Sequence, residues 1–122
     1  MKTKKEVEKM RRELVELVRD YCGTLDVERF EELLEYFSEW ELRIIKSMIK
    51  DDILLKGEVD PICQVYWCVT NQLPPSANWD IYCNYLDTKL YVRIPKEDFE
   101  KLPKNIKEFL ENECELTILE EN

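Results

Sequence analysis

Apolar residues recur at helical spacing through the first half of the chain and at strand spacing through much of the second. Val7, Met10, Leu14, Leu17 and Tyr21 follow alternating steps of three and four, which puts them on one stripe of a helix. Gly23 then offers the left-handed conformation in which helices commonly stop. Thr24 or Asp26 can cap a second helix whose apolar face is Val27, Phe30, Leu33, Leu34 and Phe37. Ser38 and Glu41 stand three apart, as in a capping box, and can open a third helix bearing Trp40, Ile44, Ile45, Met48 and Ile49. The apolar spacing 33, 37, 40, 44, 48 also runs without a break, so one helix from 26 to about 52 is equally compatible. Gly57 closes this region.

Residues 62–69, Ile-Cys-Gln-Val-Tyr-Trp-Cys-Val, satisfy two patterns. Ile62, Val65, Tyr66 and Val69 fit a helix face, and Asp60-Pro61 would start a helix well. The β-branched and aromatic content favours a strand, which is the reading adopted. Pro74-Pro75-Ser76 predicts an irregular, extended loop. A hairpin follows. Ile81, Cys83 and Tyr85 alternate with Tyr82, Asn84 and Leu86; beyond a turn at Asp87-Thr88-Lys89, Leu90, Val92 and Ile94 alternate with Tyr91 and Arg93. Pro95 ends the strand and opens a helix with Glu97 and Asp98 in its first turn, where acids are favoured. Pro103 kinks or splits that helix, and Ile106, Phe109 and Leu110 mark its continuation. Cys114, Leu116 and Ile118 alternate with Glu115, Thr117 and Leu119 as a last strand, which a crossover of this length would set parallel to strand 89–94.

These elements predict an α+β fold: two or three N-terminal helices packed on a small three- or four-stranded mixed sheet, with a C-terminal strand–helix–strand unit. The 122 residues suit one domain, 1–122, with a helical part at 1–57 and a sheet-containing part at 58–122. Neither internal repeat nor low-complexity tract is present. A charged N-terminus without an apolar run after it, and the absence of any stretch near 20 apolar residues, predict a protein with no membrane association and a cytoplasmic location.

Composition narrows the chemistry. Eighteen basic and 27 acidic residues leave a net charge of −9, which repels phosphate backbones and makes nucleic acid an unfavoured partner. Histidine is absent, which removes the usual general base and the commonest metal ligand, and with them any Ser-His-Asp or Cys-His arrangement. Of the five cysteines, Cys22, Cys63, Cys68, Cys83 and Cys114, the closest two have four residues between them and face apart in either a helix or a strand. They read as free thiols with no zinc site, although abundant Lys, Glu and Ile resemble a thermophile bias and keep intracellular disulfides open. The adjacent acids Asp51-Asp52, Glu97-Asp98 and Glu120-Glu121, and the cluster Glu31-Glu32-Glu35, read as solvated helix faces and chain ends. Two isolated glycines cannot form a phosphate-cradling loop. The expectation is a chain without catalytic residues, metal or cofactor.

The middle of the chain differs from both ends. Residues 58–94 hold only six charged side chains, yet Tyr66, Trp67, Trp79, Tyr82, Tyr85 and Tyr91 fall within 26 positions. Tyr, Trp and Arg dominate binding hot spots because they bury much area with few torsions to freeze. The candidate binding residues are Trp67, Trp79, Tyr82, Tyr91 and Arg93, against the plainer alternative that the aromatics fill a core. The function this supports is non-enzymatic protein binding, as an acidic adaptor, inhibitor or regulatory subunit. Its charge suits a basic, nucleic-acid-handling partner, including one from a virus or mobile element, and the chain's own homodimer is a further partner to consider. The alternative is a winged-helix-like regulator touching nucleic acid through hairpin 81–94, with Lys89, Arg93 and the N-terminal lysines.

Overall fold

Asp26 and Ser38 decide where the second and third helices begin. The Asp26 carboxylate accepts from the Arg29 backbone N–H at 3.0 Å, as an N-cap does. The Ser38 hydroxyl donates to Glu41 Oε1 at 2.9 Å and accepts from the Glu41 N–H at 3.4 Å, and the Ser38 N–H reaches the same carboxylate at 3.3 Å. That reciprocal pair is the capping box, and it resolves the region 26–52 into two helices. In the computed structural model, which describes residues 4–21, 26–54, 60–83 and 88–120, the order is α1 (Lys4–Tyr21), α2 (Val27–Leu34), α3 (Glu39–Leu54), α4 (Pro61–Thr70), β1 (Asn78–Cys83), β2 (Thr88–Pro95), α5 (Lys96–Glu100), α6 (Lys104–Glu113) and β3 (Glu115–Leu119). Gly23, Thr24, Gly57 and the expected strand residues Asn84, Tyr85 and Leu86 lie outside the described residues. The fold is α+β, with the first four helices preceding a three-stranded mixed sheet.

The chain divides into two compact units, Met1–Cys68 and Val69–Asn122. In the first, α1 contacts both α2 and α3. Leu14, Val15 and Val18 are its buried residues, while Val7, Met10 and Leu17 are half-buried, so the stripe is rotated slightly from the one expected. On α2 Phe30, Leu33 and Leu34 are buried as expected, Val27 is half-buried, and Phe37 is buried just beyond the end of the helix. On α3 the buried residues are Leu42, Ile45 and Ile49, and Trp40 is 66% exposed. Trp40 follows Ser38 in the first turn, about 200° around the helix from Leu42, so it cannot share that face. Arg11 of α1 donates through Nε to the Leu34 carbonyl at 3.2 Å and through Nη2 to the Phe37 carbonyl at 3.2 Å. It thereby ties α1 to the end of α2 and the turn after it, where the Leu34 carbonyl also accepts from the Phe37 N–H at 3.2 Å.

Residues 62–69 belong to helix α4, which corrects the strand expected there. Asp60 accounts for the difference. Its side chain accepts from the Ile62 N–H at 2.8 Å and its carbonyl from the Gln64 N–H at 3.4 Å, while Pro61 occupies the first helical position. Local capping outweighs the β-branched composition because every residue of α4 but Trp67 is buried, which a helix apolar all round allows.

In the second unit β1 and β2 form an antiparallel pair and β3 joins β2 in parallel, in the order β1-β2-β3. The parallel pairing follows from the crossover through α5 and α6, as expected. Pro103 separates these helices rather than kinking one. Thr88 and Lys89, expected in the turn, already pair within the ladder opposite Cys83 and Tyr82, and Cys114 caps α6 rather than starting the strand. Leu90, Val92 and Ile94 of β2 are buried together with Phe99 of α5 and Ile106, Phe109 and Leu110 of α6. Both crossover helices contact the sheet, so they cover its apolar face.

Candidate functional site

Strict alternation in β2 assigns its side chains to two faces. Leu90, Val92 and Ile94 are buried, whereas Lys89, Tyr91 and Arg93 are exposed. Cross-strand partners share a face, so the register extends the exposed set onto both neighbours. Arg93 lies between Asn78 of β1 and Thr117 of β3; Tyr91 lies between Asp80 and Glu115; Lys89 lies opposite Tyr82. All of these residues are open to solvent, with Tyr82 50% and Tyr91 45% exposed. The second unit therefore has one face closed by α5 and α6 and one left open.

The five candidate residues separate accordingly. Tyr82, Tyr91 and Arg93 stand together on the open face. Trp79 pairs with Val92 and so belongs to the opposite face, where its place on the outermost strand β1 leaves it 38% exposed. Trp67 is 41% exposed on α4, within the first unit. The loop before β1 is held by a turn in which the Ala77 N–H donates to the Pro74 carbonyl at 3.0 Å, and by a hydrogen bond from the Ser76 hydroxyl to Asp98 of α5. Asp80 and Glu115 were not singled out by sequence reasoning. The parity of β1 would have found Asp80, since it alternates with Ile81; Glu115 required the parallel register, which only long-range pairing supplies.

Little else in the described residues offers chemistry. No three His, Cys, Asp or Glu side chains among them gather where a metal ion could be held, and no helix among them is long and apolar enough to cross a membrane. Cys63 and Cys83 are each in a disulfide bond, which corrects the reading of them as thiols; Cys68 and Cys114 are not disulfide-bonded. An odd cysteine count excludes complete pairing only, and spacing along the chain says nothing of sulfurs brought together by the fold. The Cys68 thiol is pushed up from its ordinary value of 9.0 to about 12, first by burial and then by the charge of Glu41, which leaves it a poor nucleophile.

No protein-family model matches this chain, and no curated protein or solved structure does.

Proposed function

We propose that the chain is a non-enzymatic, acidic protein-binding domain, an adaptor, inhibitor or regulatory subunit, that engages its partner through the open face of the sheet. The observation that carries this reading is the exposed set Tyr82, Tyr91 and Arg93 on the two paired strands β1 and β2. A sheet face that carries two half-exposed tyrosines and an arginine matches the composition of interface centres, which are rich in Tyr and Arg. Strands also hold these side chains in fixed positions, which reduces the freedom lost on binding.

A net charge of −9 favours a basic partner, and a nucleic-acid-handling protein is the class we favour. The composition and the disulfide-bonded Cys63 and Cys83 together suit the cytoplasm of a thermophile, where intracellular disulfides persist. A winged-helix-like reading takes support from the helices that precede a hairpin bearing Lys89 and Arg93. The carboxylates of Asp80 and Glu115 on the same face weigh against it, because they repel a phosphate backbone.

Affinity capture from the native host, with wild-type and Tyr91→Ala baits compared by quantitative mass spectrometry, tests the proposal. A partner recovered with the wild type and depleted about tenfold or more with the variant supports it. Equal recovery with both baits contradicts it.

A further inference from the structure

The open face also has a charge pattern. Three rows cross the strands, each roughly 7 Å from the next along β2. The central row sets Tyr91 between two carboxylates, Asp80 on one side and Glu115 on the other. Paired positions on neighbouring strands share a face, so Asp80 and Glu115 flank Tyr91 on the open side of the sheet. All three are exposed, and among the described residues neither carboxylate has an ion-pair partner. The rows on either side carry the cations, Lys89 opposite Tyr82 and Arg93 between Asn78 and Thr117. Formal charge on the face thus balances, with two acids and two bases, and what it offers a ligand is an arrangement rather than a net attraction.

From this arrangement we propose that the Asp80–Tyr91–Glu115 row is a recognition site for one basic side chain, an arginine or lysine, presented by a protein partner. The proposal rests on the open face being the binding surface and names what the centre of that surface accepts. A cation laid over an aromatic ring is attracted by the ring's quadrupole. Carboxylates on both sides then supply the charge-assisted hydrogen bonds that a guanidinium or ammonium needs once it leaves water. The Arg93 row, one step along the sheet, is placed to meet an acceptor on the same partner, a backbone carbonyl or a carboxylate. The partner this fits presents a basic group and an acceptor roughly 7 Å apart.

A fluorescein-labelled peptide of alternating arginine and glycine, followed by fluorescence anisotropy at physiological salt, provides the probe. The variants are Asp80→Asn/Glu115→Gln at the site and Glu31→Gln/Glu32→Gln on α2, which removes the same charge elsewhere. Both pairs replace exposed groups with isosteres, and thermal melts confirm that each variant is folded. The site pair should weaken binding about tenfold or more, and the α2 pair less than about twofold. Tyr91→Leu should weaken it several-fold with both carboxylates in place. Equal losses in the two charge pairs, or no binding by the wild type, overturn the cation site. Such a result leaves the open-face reading to the capture experiment with Tyr91→Ala, whose depletion of a partner does not depend on that partner being basic.

Discussion

Tyr91 is the residue on which two accounts of the aromatic middle diverge, and its half-exposed position on the uncovered face decides what truncation should do. Tyr91→Ala should leave the melting midpoint within a few degrees of the wild type, against the roughly 3–5 kcal/mol expected for a buried aromatic. A drop above about 10 °C would return Tyr91 to the core. Cys68 gives a second residue-scale outcome. Its folded pKa of about 12 exceeds the ordinary 9.0, so in that window the folded chain keeps a proton that the unfolded chain releases. The contribution of this thiol is therefore complete below pH 9 and lost as pH rises toward 12. Chemical unfolding at pH 7 and pH 10 should show alkaline destabilisation that Cys68→Ala reduces. The faces of Tyr91 and Arg93 were legible from alternation alone, because period 2 assigns every side chain once a single face is known. Trp79 and Tyr82 were placed together in the expected site although their opposite parity separates them. Trp67 could not be related to the hairpin by any local rule.

At the scale of elements, polar end groups settle what hydrophobic periodicity leaves open. The capping box of Ser38 and Glu41 was visible in the sequence and starts α3, but the apolar spacing that runs through it hid the break. Asp60 and Pro61 were equally visible, yet the strand-like composition of 62–69 outweighed them in the reading; burial on nearly all sides makes such a segment apolar whatever its period. Arg11 was not legible at all, since its acceptors lie 23 and 26 residues away. Arg11→Met retains much of the stem and removes the two hydrogen bonds, so it should cost about 1–3 kcal/mol in denaturant unfolding. A cost below about 0.5 kcal/mol would mean that water satisfies the end of α2 as well as the guanidinium does.

For the molecule as a whole, the α+β class, the hairpin and the parallel last strand follow from the order and length of the elements, which a crossover of α5 and α6 constrains to one pairing direction. The state of Cys63 and Cys83 does not follow, because a disulfide depends on the meeting of distant segments. Charge makes its own prediction at this scale. With −9 overall and acids interleaved among the bases, the chain should show no micromolar, salt-dependent binding to random duplex DNA at physiological salt. An anisotropy titration that found such binding would favour the winged-helix-like reading. The claim that the open face is where a partner sits is tested most directly by hydrogen–deuterium exchange of the chain alone and in complex with the partner it captures. The account predicts new protection confined to 78–83, 88–95 and 115–119; protection on α1 and α2 with the sheet unchanged would contradict it.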